Sequence, residues 1–302
     1  MMIGLVLLCL GAAPVTVSAA GDLHLGSAST GAHVAPLSGL LRGDVRFVNL
    51  EGPITASGRE SGLAADGTPT GPLRFNAPPA AAKWLKGRVD AVSLANNHAL
   101  DQGEQGLAET VALLRAQDIQ AATASTDAVL ERKGRRLRLI ARELPEVWSA
   151  EAEAVLEARV REAREEGPVL VSLHWGSTGA LLPTEDQRRL AGRLIDAGAT
   201  AVLGHGPHTP QGIERRGRGI IAYSLGNLAF ACGCTEERDA YVLRFRIDEG
   251  GAAVDVEAVP LEAGLRAPPR RARDAGVAQL LQSLSEDLGS EVRLQGGRVL
   301  IR

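Results

Sequence analysis

Five of the six histidines in this chain stand at, or just past, the end of an apolar run of strand length. His24 follows residues 14–20 by way of Gly21-Asp22-Leu23, and His98 follows residues 89–95. His174 follows residues 169–173, His205 follows residues 200–204, and His208 lies three residues further on. A single histidine after a strand reads as an exposed or satisfied side chain. Repetition restricts the fold, because in layered α/β proteins the loops at the carboxyl ends of the strands converge on one crevice.

The rest of the chain agrees with strands alternating with helices. Helical spacing predicts helices over residues 80–86, 103–117, 150–166 and 184–197. Asp101 and Glu104 have capping-box spacing at the start of the second of these. Further strands are expected over 45–50, 136–140 and 220–224, and residues 241–247 and 253–261 alternate as an antiparallel pair does. Residues 52–72, rich in Gly, Pro and Thr, read as a long loop. The expectation is an α/β fold, layered and with mixed sheets, over residues 14–262. Residues 263–302 read as a Pro/Arg-rich linker and a small appendage: a helix through Val277, Leu280, Leu281, Leu284 and Leu288, then a hairpin turning at Gly296-Gly297.

Composition narrows the function. A net charge of −3 and 3% aromatic residues supply neither the basic surface nor the stacking platforms that nucleic-acid binding needs. Three cysteines make no disulfide framework, and Cys232 and Cys234 read as two ordinary, partly buried cysteines. Residues 1–20 are uncharged, with an apolar stretch over 3–10 that resembles an export leader. Cleavage after Ala20 would remove the strand that leads to Asp22, so the leader is placed at residues 1–13.

The strand-end residues form a ligand set. Asp22, His24, Glu51, Asn97, His174, His205 and His208 would share the crevice, offering carboxylate, imidazole and amide donors. That mixture suits Mn, Fe or Zn better than Mg or Ca, and it is too large for one ion and about right for two.

Several stretches resemble the CapA family of poly-γ-glutamate synthesis proteins, relatives of the calcineurin-like metallophosphoesterases. They are Gly21-Asp22-Leu23-His24-Leu25-Gly26, Asn49-Leu50-Glu51-Gly52-Pro53, Arg74-Phe75-Asn76-Ala77-Pro78-Pro79, Ala95-Asn96-Asn97-His98, His174-Trp175-Gly176, Gly204-His205-Gly206-Pro207-His208 and Tyr223-Ser224-Leu225-Gly226-Asn227. The resemblance implies an α/β/β/α-type metallophosphoesterase-like fold and two divalent transition-metal ions. It implies that Asp22, His24 and His208 hold one ion, that Asn97, His174 and His205 hold the other, and that Glu51 bridges. His98 would be the general acid. Asn227 would position a neighbour, Arg74 and Arg42 are candidates to meet an anionic substrate, and Trp175 is a packing residue or a substrate wall. The implied function is metal-dependent hydrolysis of a phosphoester or of an envelope polymer such as poly-γ-glutamate, in an exported or membrane-associated setting. The alternative is a non-catalytic, metal-stabilised component of a polymer synthesis and export assembly with membrane-bound partners. Glu51 stands where phosphatases use aspartate, and His205-x-x-His208 where they have His-x-His.

Overall fold

The computed structural model describes residues 13–64, 69–232, 234–265 and 267–302. Two large sheets carry the fold. In the first, Val15–His24 is central, followed on one side by the parallel strands Val45–Leu50, Ala91–Ser93 and Gln120–Ala122. On its other side run Asp239–Ile247, Ala253–Glu262, Arg298–Ile301 and Val292–Gln295, all antiparallel to their neighbours. In the second sheet Arg135–Glu143, Val169–His174, Ala201–His205 and Gly219–Ala222 are parallel, and Ala128–Arg132 and Ile213–Arg216 close its edges antiparallel.

The alternation of side chains along each strand builds the layers. Val17, Ala19 and Phe47 of the first sheet share a core with Leu137, Leu139, Leu170 and Leu203 of the second, so the sheets face each other. Ala20, Leu23 and Val48 point the other way and pack with Leu85 and Leu114 of the helices Ala80–Leu85 and Gly103–Arg115. Val171 and Val202 likewise leave the second sheet to meet Leu156, Val160, Leu190 and Leu194 of the helices Ala150–Arg164 and Glu185–Asp196. The order is helix, sheet, sheet, helix, as the resemblance implied. Residues 1–12, most of the leader read from the sequence, lie outside the described residues.

Three local expectations are corrected. Asp101 caps nothing: Gln102 is the N-cap of Gly103–Arg115 and makes no side-chain cap bond, while the Asp101 carboxylate turns toward His98 and the Phe75 amide. Residues 52–72 are not one loop, because Ile54 bridges to Ala77 and Ser61–Leu63 pairs with Pro69–Arg74. Cys232 and Cys234 are bonded to each other as a disulfide, with Cys232 packed on Phe75 and Phe230. The C-terminal helix, Gly276–Asp287, and the hairpin after it join the first sheet. Val277 and Leu281 enter the inter-sheet core, and Arg298–Ile301 pairs with Ala253–Glu262.

One glycine on the central strand sets how closely the backbones meet. A Cβ on Gly21 would lie 1.7 Å from the Gly226 carbonyl oxygen, the same oxygen that accepts the Asp22 amide at 2.9 Å. Gly21→Ala is expected to destabilise the protein by roughly 3 kcal/mol, the upper range for overpacking. A urea unfolding midpoint equal to wild type would contradict this close approach.

Candidate metal centre

The carboxyl ends of the parallel strands of both sheets meet at one edge. Asp22 and His24 finish the central strand, Glu51 follows its neighbour, and His174 and His205 end adjacent strands side by side in register. The register of the central strand slips between Ala20 and Asp22 against one neighbour, and between Asp22 and Leu23 against another. Such irregularities re-aim a side chain, here the Asp22 carboxylate. His208 sits at φ 60°, a left-handed conformation that costs a non-glycine residue about 1–3 kcal/mol and persists only where its surroundings hold it.

Asp22 is the hub. Its Oδ1 accepts a hydrogen bond from Asn49 Nδ2 at 2.9 Å and lies 3.3 Å from His205 Nδ1. Its Oδ2 lies 3.2 Å from His208 Nδ1 and accepts the Gly206 amide at 3.4 Å. Asp22, Glu51 and His174 each present a ligand atom within 4.8 Å of the others. Asn227 Oδ1 takes His208 Nδ1 at 3.0 Å, which leaves His208 Nε2 facing Glu51 Oε1 at 3.7 Å.

This arrangement lacks internal compensation. Both oxygens of Glu51, both ring nitrogens of His205 and Nε2 of His24 are buried without a hydrogen-bond partner. Leaving such groups unpaired costs several kcal/mol for an ion and ~1–3 kcal/mol for a neutral polar atom. Divalent cations would bond the carboxylate oxygens and imidazole nitrogens together, and the donor types suit Mn, Fe or Zn. The residues therefore fit divalent metal.

The other sequence-derived candidates are placed as follows. His24 is buried, stacked on Phe75 at 3.9 Å, with Nδ1 3.3 Å from the Glu51 carbonyl oxygen. Its Nε2 faces Glu60 Oε1 at 3.6 Å. His98 also packs on Phe75, 4.0 Å from that ring, with Nδ1 2.7 Å from Asp101 Oδ2. Asn97 is exposed, whereas Asn96 is buried and donates to Asn49 Oδ1 at 3.1 Å and to the Leu50 carbonyl at 2.9 Å. Arg74 is exposed beside Phe75, and Arg42 is exposed near the opposite end of the central strand, where its backbone carbonyl accepts from Ser18. Trp175 is a packing residue, buried between Trp148 and Tyr223 and donating to the Tyr223 carbonyl.

Sequence reasoning gave no role at the site to Asn49, Asn96, Asp101, Glu60 or Phe75. Asp101 carried a usable signal, since it follows His98 by three residues in a tight turn. Glu60 carried none, because only the folding back of its segment brings it to His24.

Charge in the site follows from burial and neighbours. Burial alone would push Asp22 up, but His205 and His208 beside it hold its carboxyl well below the usual carboxylate range. Burial pushes Glu51 up to about 8. Burial works against a charge on His208, yet Glu51 and Asp22 raise it to about 10. Burial lowers His24 and His174 to about 3, so both are neutral at pH 7 and have lone pairs to offer. Without metal at pH 7, the Glu51–His208 pair thus keeps at least one proton that a cation must displace. Metal loading is expected to release about one to two protons per protein, and apparent affinity should rise from pH 6 to pH 9. Calorimetric titration in buffers of different ionisation enthalpy checks this; heats independent of buffer would contradict it.

Residues 16–231 match the family described as bacterial capsule synthesis protein PGA_cap. The chain is 26% identical to the capsule biosynthesis protein CapA of Bacillus anthracis, over 80% of this chain and 64% of that one. It is 25% identical to the PGA biosynthesis protein CapA of Bacillus subtilis, over 68% and 59% of the two chains. It is 33% identical to a "Probable polyglutamine synthesis accessory protein" of Mycobacterium tuberculosis, over 61% and 55%. The aligned region thus spans under two thirds of these relatives' own length. Among solved structures, NAD nucleotidase of Haemophilus influenzae aligns over 90% of this chain and 63% of its own, at 10% identity and a TM-score of 0.44. With a family match that covers most of its length and every strand-end ligand candidate, this chain belongs to the bacterial capsule synthesis protein family PGA_cap.

Proposed function

We propose that this protein is a metal-dependent hydrolase with a two-ion centre, acting on a phosphoester or on a cell-envelope polymer such as poly-γ-glutamate. The observation that carries the reading is the set of buried, unpartnered Glu51 and His205 atoms around Asp22, with the His98–Asp101 pair at its margin. Ions held by Asp22, Glu51, His174, His205 and His208, with His24 and Asn97 as further candidates, would supply a low-pKa water and a clamp for a developing oxyanion.

The chain's own groups do the rest. Asn49 is placed to lock the Asp22 carboxylate and lies 3.4 Å from His174 Nδ1, so it orients two ligands at once. Asn227 fixes the orientation of His208. Asp101 accepts the His98 Nδ1–H, which leaves Nε2 as the atom to hand a proton to a leaving group. Phe75 packs on both His24 and His98 and keeps water from their faces. Arg74, exposed beside Phe75, is a candidate contact for an anionic substrate.

The names of the relatives support an envelope polymer as the substrate class, and with it an exported or membrane-associated location. Among the described residues no helix is long and apolar enough to cross a membrane. The deciding measurement compares metal-loaded with metal-stripped protein on a panel of phosphoesters and γ-glutamyl peptides. Metal-dependent turnover of one class is expected, and none on any member would remove the hydrolase reading. A second reading, a metal-stabilised but non-catalytic component working with membrane-bound synthesis partners, is favoured by the word "accessory" in one relative's name. Under it, metal would change stability and leave no turnover to detect.

A further inference from the structure

Glu60 lies on the segment between the Glu51 strand end and the hairpin Ser61–Leu63/Pro69–Arg74, outside every motif recognised in the sequence. Its Oε2 is held by the Ser27 amide at 2.9 Å and by the Ser27 hydroxyl at 2.5 Å. Gly26 makes this approach possible, since a Cβ there would lie 2.7 Å from Glu60 Oε1. With one oxygen tethered, the other is aimed at His24 Nε2, 3.6 Å away.

The partner atom settles what kind of contact this is. His24 Nδ1 points at the Glu51 carbonyl oxygen, an acceptor, so the ring proton belongs on Nδ1 and Nε2 carries the lone pair. That Nε2 is buried and has no hydrogen-bond partner. Two lone-pair atoms therefore face each other, one on a buried ring and one on a carboxylate partly open to solvent, with no proton assigned between them. Their separation is too long for a hydrogen bond and suits a shared cation. Two donors each about 2.0–2.1 Å from one ion and this far apart would subtend roughly 120° at it, somewhat wider than the tetrahedral angle. His24 Nε2 is also not among the ligand atoms of the tight Asp22–Glu51–His174 group.

We propose that Glu60 is a metal ligand, completing with His24 the coordination of one of the two ions. The inference rests on the two-ion reading above. It assigns a ligand to a residue outside the strand ends, contributed by the folded-back segment and positioned by Ser27. An ion bound there also fastens that segment to the turn at residues 24–27.

The test is metal binding by wild type and Glu60→Gln, measured by elemental analysis after dialysis and by calorimetric titration with Mn²⁺ and Zn²⁺. Glutamine keeps the size and one acceptor for Ser27 but removes the charge. Expected is a biphasic titration for wild type, with one phase weakened about ten-fold or more in Glu60→Gln and the other unchanged. Ser27→Ala, which removes the hydroxyl tether and keeps the backbone amide, should weaken the same phase less. The metal-free melting temperatures of wild type and Glu60→Gln should agree, as no ligand bond is lost there. Two ions bound with wild-type affinities in Glu60→Gln would overturn this inference and leave the two-ion centre standing. Wild-type protein that binds no ion would instead remove the reading on which it rests. If Glu60→Gln fails to fold, Glu60→Asp, one methylene shorter, is expected to show the same selective weakening, and unchanged affinities in it would likewise overturn the assignment.

Discussion

His98→Gln is expected to lower turnover by ~10²-fold or more while metal content and melting temperature stay at wild-type values. The reason is positional. His98 is held through Nδ1 by Asp101 and by packing on Phe75, and neither contact belongs to the Asp22–Glu51–His174 group. Removing the imidazole therefore takes away a proton donor without removing a charge that the cations need. Asp101→Asn should reproduce part of the defect, because a neutral amide supports a proton on Nδ1 less well than a carboxylate does. Its effect should appear in kcat more than in KM, and the pH profile should shift with it, since Asp101 acts through His98 and not on the substrate. A His98→Gln variant with wild-type turnover, or with full polymer output when it replaces the native gene, would end the case for general acid catalysis at this residue and favour the non-catalytic reading.

Asp22→Asn is expected to have the opposite signature, losing metal first and activity as a consequence. Asp22 is fully buried and surrounded by Asn49, His205, His208 and the Gly206 amide. The neutral amide leaves His208 without the carboxylate that supports its charge and leaves the cations without their most enclosed anion. Affinity should fall by at least ~10²-fold, and the gain in stability that metal confers on wild type should largely vanish. His174→Ala should behave alike, with a further loss in the metal-free state for the buried cavity it opens. Metal analysis with thermal melts in chelator and in excess Mn²⁺ or Zn²⁺ checks both. Two ions retained by Asp22→Asn would move the centre away from the central strand.

The contrast between these variants follows a division between what was legible in the sequence and what was not. The layers were legible because strand burial alternates with period two. Val15, Val17 and Ala19 face one core and Ala20 the other, an alternation written in consecutive residues, whereas Leu23 reaches the second core through the register slip at Asp22. The gathering of Asp22, Glu51, His174, His205 and His208 was legible for a related reason. A side chain at a strand end has its location set by the strand, and parallel strands bring their ends to one edge whatever the loops do.

Side chains whose partners lie far off in sequence were not legible. Asn49 reads as one more residue of an apolar strand until Asp22 and His174 are brought against it. Asp101 has the spacing of a helix cap, and only the placement of Phe75 and His98 shows that its carboxylate goes elsewhere. That Asn96 turns to the interior depends on the backbone after Ser93, where adjacent residues diverge and spacing cannot rank them. Glu60 lies in a Gly- and Pro-rich stretch without periodicity, and its approach to His24 depends on a chain reversal, on Ser27 and on the missing Cβ of Gly26. By itself the sequence determined the order of the layers and the strand-end donors, because both follow from local period and strand direction. Tertiary structure alone decided which groups orient those donors and which atoms remain unpartnered, because these depend on contacts between segments that no local pattern encodes.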